Sequence, residues 1–366
     1  MRVLVVNAGS SSLKVSLVAD DDAELTSHEF KASAGRFKKA ELEAAIKRMD
    51  GVEAVGHRVV HGGPRHSASV AIDARVVAYL HSIEDLAPLH MPAAISAIVA
   101  VRKLLPRVPA VACFDTSFHS QMPAAAATYA IPAKWRQRHG IRRYGFHGFS
   151  HSYSARRAGE LLERPQSELR IVTCHLGAGA SLAAVHGGRS VDTTMGFTPL
   201  EGLVMATRSG SIDPGAMLWL QRHEAVTERE LTDALDGRSG LLGLAGTADM
   251  REVLERRSSE DVRARLAFDV YIHRMRACIA SMAAAMNGID ALVFTGGVGE
   301  NSAPVRSEAA AGLRFLGVDV DATSNDRIAG DRDISARGAR VRTLVVHARE
   351  DVEVARDVRW LLSGSA

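Results

Sequence analysis

Twice in this chain a run of strand-forming apolar residues breaks at a loop of Gly, Ala and Ser and then resumes. The first instance is VLVVNAGSSSLKVSLV near the start, and the second is RIVTCHLGAGASLAAV from Arg170. Set in register, His175 falls opposite Asn7 and Gly177 opposite Gly9. A hairpin turn needs only Gly or Asn. The hydroxyls and Lys14 of the first loop are surplus to turning the chain. Small side chains let an anion approach backbone N–H groups, and hydroxyls add donors without bulk. The pattern therefore reads as two lobes, each opening with a strand–loop–strand unit whose loop suits phosphate. A third small-residue loop, LVFTGGVGEN, follows a strand and enters a helix. None of the three is a Walker loop, and no GxGxxG opens a dinucleotide unit.

Length and composition narrow the classes. The chain has 366 residues, enough for two domains, and 46% hydrophobic residues, enough for real cores. A formal charge of +3 carries no basic block of the kind nucleic acids demand. Cys113, Cys174 and Cys278 are far apart and form no CxxC, so neither a disulfide frame nor a zinc knuckle is expected. HGFSH lacks the Glu of a zincin motif, and no GxSxG elbow supports a hydrolase. The first apolar run breaks at Asn7, and the Ala-rich run after Ala280 stops at Asn287. Both are too short for a signal peptide or a membrane span, so a cytoplasmic location is expected.

The order of elements follows from periodicity. Strands are predicted at residues 2–7 and 13–19, followed by a polar stretch and a short helix over 39–49. VEAVGHRVVHGG is a strand running into a Gly-Gly turn. LHMPAAISAIVAVRKLL is a helix with Pro92 in its first turn. PAVACFDTSFH is a buried strand ending in Asp115. RYGFHGFSHSYSARRAGELL is a turn feeding a helix capped near Ser150. Thr227 and Glu230 form a capping box with Gly237 as the stop, and Ser258 with Asp261 forms a looser one for a long helix ending at Gly288. That helix should turn Leu266, Val270 and Met275 to one face. The tail EDVEVARDVRWLL is amphipathic, with Val352, Ala355, Val358 and Leu362 inward. Strands followed by long helices, twice over, argue α/β architecture.

Phosphoryl transfer needs cations around the migrating group and acidic residues for a metal. Arg58 in GHRVVHGG, Arg208 in MATRSGSIDPG, Asp115 at its strand end and His147 between glycines are the candidates. Singly, an arginine is more often a surface ion pair and a strand-end aspartate a turn cap. Their company with glycine-bearing loops is what favours chemistry.

Taken together, NAGSSSLK, HRVVHGG, FDTSFH, RYGFHGFSH, HLGAGAS, SVDTTMGFTPLEG, TRSG, IDPG and GGVGENS resemble the acetate kinase family, in that order and over nearly the whole chain. That family includes propionate and butyrate kinases. The resemblance implies an α/β, two-lobed actin-like fold of the sugar kinase and heat-shock ATPase type, with a central cleft. Residues 1–143 would form the N-terminal lobe and 144–366 the C-terminal lobe, with a tail helix near 350–362 packing back on the first. It implies ATP as donor, Mg²⁺ or Mn²⁺ as cofactor, transfer of the γ-phosphoryl group to a short carboxylate, and a homodimer with neither nucleic-acid nor membrane partner.

By the same resemblance, Arg58 and Arg208 match the arginines that grip the carboxylate and the transferring phosphoryl. His147 matches the donor to the transition state, and Asp115 the active-site aspartate. Val60, Leu89, Phe146 and Pro199 match the acyl pocket. Asn7 and Glu350 match the metal-associated residues. Nucleotide contacts would come from Asn7, Ser10, Ser12, Lys14, His175, Gly177, Gly179, Asp249, Arg251, Gly296, Gly297, Gly299 and Asn301. A carboxylate nucleophile is already ionised at neutral pH, its reference pKa lying near 4, so Asp115 is better read as an electrostatic or positioning group than as a base.

The chain departs from the family pattern at a few positions. Ala178 stands in HLGAG where Asn is usual, Ser211 where Asp follows TRSG, and Met91 in LHMP where Asn is usual. The usual TDEE of the tail is loose here, leaving Glu350 with Asp351 as its rival. The stretch from Phe30 to Gly51 is compact. Ala178 keeps a pyrophosphate donor open. Acetate and propionate differ by one methylene, which is worth only about 1–3 kcal/mol of discrimination and is not separable by residue type. A nucleotide-binding protein without catalysis is the alternative of another class. The retained Arg58, Asp115, His147 and Arg208 argue against it, since mere binding has no use for them.

Overall fold

A computed structural model describes residues 1–9, 12–31, 37–88, 90–326 and 329–364. The candidates Ser10 and Leu89 lie outside the described residues. The chain divides into two compact units. Unit 1 comprises Met1–Ser120, Phe146–Tyr153 and Arg349–Ala366, and unit 2 comprises Gln121–Gly145 and Ser154–Ala348. The division therefore differs from a single cut after residue 143. Residues 121–145 belong with the second unit, whereas 146–153 and the tail helix belong with the first.

Unit 1 is built on a six-stranded sheet of β1 (Val3–Ala8), β2 (Ser12–Val18), β3 (Glu24–Lys31), β4 (Ala54–Val59), β5 (Val70–Ala71) and β6 (Ala110–Phe114). Unit 2 carries β7 (Arg170–Leu176), β8 (Ala180–His186), β9 (Arg189–Thr193), β10 (Ala291–Thr295), β11 (Arg332–Asp333) and β12 (Arg342–Val345). The spatial orders are β3-β2-β1-β4-β6-β5 and β9-β8-β7-β10-β12-β11. These are one topology used twice. In each sheet an antiparallel meander leads into parallel strands, and a short antiparallel strand closes the edge. Asn7 lies in register with Arg58 on β4, and His175 with Thr295 on β10. The sequence correspondence of Asn7 with His175 thus marks equivalent places in two sheets. Both loops close alike, through Gly9 N–H to Ser12 O at 2.8 Å and Gly177 N–H to Gly179 O at 3.0 Å.

The first sheet is covered on both faces, as parallel pairing requires. The helix Met91–Leu104 buries Ala93, Ala97 and Val101 with Leu4, Val6 and Val15, and sets Met91, Ile95 and Ile98 beside Phe114. On the other face lies the tail helix Glu350–Leu362, whose Val354, Ala355 and Val358 join Val3, Val5, Val111 and Cys113. Gly56 explains how close it sits. A Cβ there would come within 2.7 Å of Val354 and 2.8 Å of Val358, so only glycine fits where helix crosses strand. In unit 2 the long helix Val262–Ala285 packs along β7, β8 and β9.

Several local expectations are corrected. The polar stretch after β2 contains β3, an edge strand whose alternate residues are half-buried. The helix predicted from Ser150 begins at Gly148, leaving Ser150 fully buried inside it. Ser258 ends a preceding helix, and Asp261 alone caps the long one, accepting from the N–H groups of Arg263 and Ala264. Leu266 faces solvent, and Phe268, Tyr271 and Ile272 supply the buried face with Met275. The Thr227–Glu230 capping box is present. Cys113, Cys174 and Cys278 are free thiols, and none of the described helices is long and apolar enough to cross a membrane.

Candidate active site

In unit 1 the candidates converge on one guanidinium. Arg58 leaves β4 near its C-terminal end, with β1 beside it and β6 on the other side. Asp115 follows directly on β6, so parallel pairing brings it to the arginine. Arg58 donates from Nε to Asp115 Oδ1 at 2.8 Å and from Nη2 to Oδ2 at 2.7 Å, a bidentate pair. Its Nη1 donates to Asn7 Oδ1 at 3.1 Å and meets Glu350 Oε2 at 2.8 Å. Asp115 is 1% exposed. Burial alone would lower the Arg58 pKa, but Asp115 and Glu350 outweigh it and hold the group still more firmly charged. Asp351, the rival of Glu350, turns instead to Arg349.

His147 sits at φ 55°, a left-handed backbone uncommon for a residue with a side chain. Its neighbours fix it there. Phe146 is buried, and its carbonyl accepts from His119 Nε2 at 3.0 Å. Because a carbonyl only accepts, Nε2 carries the proton. Burial depresses the His119 pKa to about 4, so its ring is neutral. On the other side Gly148 N–H donates to Asp115 O at 3.1 Å, and a Cβ at 148 would lie 2.1 Å from that oxygen. The strain is localised at the residue expected to contact substrate, as strained backbone often is. Val60 is partly buried against the Phe114 cluster, and Phe146 meets the ring of His61 edge-on at 5.5 Å. Ser12 opens β2, while Lys14 pairs with Glu24 at 3.2 Å.

Unit 2 presents a different electrostatic situation. Arg208 lies in the loop Gly202–Ser211, closed at its base by Ser211 N–H to Gly202 O and Gly202 N–H to Ser211 Oγ, both at 3.1 Å. Ser211, at the position where aspartate was expected, is thus a loop closure. Arg208 Nη1 donates to Pro199 O at 3.2 Å and lies 3.8 Å from Met205 Sδ. Among the described residues no carboxylate comes within ion-pair distance of it. Burial lowers its pKa, and Asp236, which sequence reasoning passed over, opposes that only through space. Asp236 is in turn pushed upward by its own burial.

The two glycine loops of unit 2 meet where β7 and β10 end, since a Cβ at Gly296 would lie 2.9 Å from Leu176 O. His175, next to last in β7, pairs with Thr295, and Gly177, exposed Ala178 and Gly179 form the loop that follows. Gly296 takes φ 78° and starts the helix Gly296–Asn301, Gly297 has open space where a Cβ would stand, and Gly299 is buried. Asn301 Nδ2 donates back to Gly297 O at 2.9 Å. Asp249 caps the helix Met250–Ser258 and pairs with exposed Arg251 at 2.6 Å.

The donor set in unit 1 fits a hard cation. Asn7 offers an amide oxygen and Glu350 a carboxylate, with Asp115 on the same guanidinium, and Mg²⁺ characteristically takes one or two carboxylates together with substrate phosphates. No cluster of three or more His, Cys, Asp or Glu suited to a metal occurs among the described residues. An ion here would therefore depend on the phosphates for its remaining ligands.

Comparison with known proteins identifies the relatives of the chain. The sequence profile of the acetokinase family matches residues 20–356. The acetate kinase of Synechococcus sp. strain JA-2-3B'a(2-13) is 44% identical, with all of both chains covered. The acetate kinase of Gloeobacter violaceus is 50% identical over 84% of this chain and 76% of its own. Among solved structures, Porphyromonas gingivalis acetate kinase superposes with a TM-score of 0.89 at 35% identity, covering 99% of each chain. A propionate kinase from Francisella tularensis gives 0.88 at 35% identity, covering 98% of this chain and 99% of its own. With two actin-like α/β units and a match spanning nearly its whole length, the chain belongs to the acetokinase family.

Proposed function

We propose that this protein transfers the γ-phosphoryl group of ATP to acetate, giving acetyl phosphate and ADP, reversibly and without a covalent enzyme intermediate. The observation that carries the reading is Arg208: a part-buried guanidinium that has, among the described residues, no carboxylate within ion-pair distance, in a loop closed between Gly202 and Ser211. A buried, uncompensated cation is costly in the free protein and is relieved by an anion. The carboxylate acceptor and the phosphoryl group are both anions.

Each residue then has a role that its surroundings support. Arg208 binds and neutralises the anionic reacting groups. Arg58, held planar by the bidentate Asp115, presents a fixed positive charge, and Asp115 orients it without accepting a proton. Both Asp115 oxygens are occupied by the arginine, and the acetate nucleophile has no proton to lose. His147 donates a hydrogen bond to the transferring group from its fixed backbone position. Asn7 and Glu350 would hold Mg²⁺, which when bound to the nucleotide neutralises charge on the phosphates. Phe146 and Val60 would offer apolar surface to the acyl tail in unit 1, and Pro199 would do so in unit 2. The small residues of the loops Gly177–Gly179 and Gly296–Gly299 would let the nucleotide approach the backbone, although Gly177 N–H is bonded to Gly179 O and Gly296 N–H to Glu300 Oε1.

The equally good likeness to a propionate kinase supports propionate as a second acceptor. Initial rates with acetate, propionate and butyrate, each against ATP and pyrophosphate, test the proposal. Acyl phosphate is trapped as hydroxamate. The highest kcat/KM is expected for acetate with ATP. Nucleotide binding without hydroxamate, or turnover with pyrophosphate alone, would overturn it.

A further inference from the structure

We infer that Glu201, Tyr129 and Arg143 form a clamp that positions Arg208 and Pro199, making Glu201 and its two partners positioning residues for the carboxylate side of the reaction. The inference rests on the proposed roles of Arg208 and Pro199. All of the residues involved lie in unit 2.

The loop after β9, residues 194–202, carries Phe197 and Pro199 and has no regular structure of its own. Its backbone groups are satisfied by side chains brought from 51 to 68 positions away. Arg143 Nη1 donates to Thr194 O at 3.1 Å and Met195 O at 3.2 Å, while Nη2 donates to Glu201 Oε1 at 2.7 Å. Tyr129 Oη donates to Glu201 Oε2 in a very short contact and accepts from Phe197 N–H at 3.0 Å. The guanidinium also lies 5.4 Å over the Tyr129 ring. Gly196 O accepts from the N–H groups of Tyr144 at 3.0 Å and Gly145 at 3.3 Å.

The loop is thus held at 194–197 by Arg143 and Tyr129, and at 201–202 by Glu201 and Ser211. Pro199 lies between these fixed points, and its carbonyl is the one oxygen among the described residues that accepts from the Arg208 side chain. Displacing this span displaces the guanidinium. Gly196 shows how tightly the clamp closes, since a Cβ there would fall 1.8 Å from Glu201 Oε2 and 2.1 Å from Tyr129 Oη. The charge balance is informative as well. Arg143 has its carboxylate in Glu201, whereas Arg208 is offset only through space by Asp236. A loop fixed in this way supports both anion binding by Arg208 and the shape of the acyl pocket at Pro199.

The test uses Tyr129→Phe and Glu201→Gln in the full-length protein, read by kinetics and by amide hydrogen exchange. Tyr129→Phe keeps the ring and removes the hydroxyl that joins Phe197 N–H to Glu201. The expected result is a 5- to 50-fold fall in kcat/KM for the carboxylate, an altered acetate-to-propionate ratio, and a KM for ATP within twofold of wild type. The Phe197 amide should lose protection while β7 and β10 keep theirs. The inference is overturned if the Phe197 amide stays protected, if kinetics do not change, or if the KM values for both substrates rise together with global loss of protection. Hydrogen exchange reads the clamp even if the wild-type protein phosphorylates no carboxylate, so failure of the clamp and failure of the proposed activity are distinguishable.

Discussion

Arg58 and Arg208 are the same side chain in opposite electrostatic conditions. Arg58 is saturated: Asp115 takes it bidentately, and Glu350 and Asn7 take the remaining edge. Its neighbours hold its pKa up against burial. Arg208 is part-buried with a carbonyl and a thioether for company, and desolvation pushes its pKa down. The difference separates two uses of a buried cation. In unit 1 the arginine organises oxygens at the ends of two strands and the start of the tail helix. In unit 2 it remains a cation without a counter-ion, held ready for an anionic ligand. A paired guanidinium is a scaffold element as well as a functional one, whereas an unpaired one is justified only by what it binds.

The largest effect expected from this contrast comes from deleting each arginine in turn. Arg208→Ala should lower kcat by about 10²–10³-fold, the usual loss when one preorganised donor to a transition state is removed. Its melting temperature should hold or rise slightly, because a buried unpaired charge has gone. Arg58→Ala should lose activity and also stability, by about 3–5 kcal/mol, because Asp115 is left buried without its partner. Steady-state kinetics and thermal melts of the two variants side by side decide the matter. Equal destabilisation of both would erase the distinction between the two centres.

How much of this was legible in the sequence follows from the range of the interactions. The two strand–loop–strand units declare themselves locally, and their shared topology follows from the repeated pattern. Asp115 and Arg58 are legible because each sits at a strand end in a short motif. β3 was hidden because ELTSHEFK is an edge strand with one face in solvent, so its polar residues imitate a loop. The helix start at Gly148 was hidden because the carbonyl of Asp115 dictates it, not a cap at Ser150. The clamp of Tyr129, Arg143 and Glu201 gave no signal at all, since 72 positions separate its ends. The assignment of 121–145 to one unit and 146–153 to the other is likewise a tertiary fact.

A second, intermediate effect is acid sensitivity, and it should differ between the units. Burial depresses His57 to about 3 and His119 to about 4, both in unit 1. The unfolded chain binds protons at these rings near pH 6.5, whereas the folded chain does not. Their contribution is therefore complete above pH 6.5 and is lost as pH falls toward those lower values. Asp357 works the other way. Its pKa is raised to about 6, so it stabilises the folded form below about 4 and loses that contribution as pH rises through 6. It offsets only part of the loss from two histidines. In unit 2 burial raises Asp192 and Asp236, which favours the folded form in acid. Between pH 6.5 and 4.5, Trp360 in unit 1 should report loss of structure before Trp135 and Trp219 in unit 2, as single-tryptophan variants would show. Simultaneous loss at all three sites would mean that the units unfold as one.

The smallest effect concerns what keeps Glu350 at Arg58. The tail helix is held on unit 1 by its apolar face, by Arg356 and Arg359 on Asp22, and by Asp357, which accepts from Ser69 Oγ at 2.6 Å and adds to burial in raising the Cys113 thiol pKa. Ser69 belongs to the segment that follows Arg58, so one hydrogen bond ties the helix bearing Glu350 to the chain bearing its partner. Ser69→Ala should cost about 1–2 kcal/mol, the penalty for a buried acceptor left without a donor. It should also raise the Asp357 pKa further, because the hydroxyl now favours the ionised form. Activity should fall by severalfold at most, since Asp115 still holds Arg58 on its other edge. Carbon-detected NMR of the Asp357 carboxyl together with a chemical melt reads both quantities. An unshifted Asp357 with unchanged stability would leave the attachment of the tail to its apolar face and to Arg356 and Arg359 on Asp22, and the saturation of Arg58 would then owe nothing to this strap.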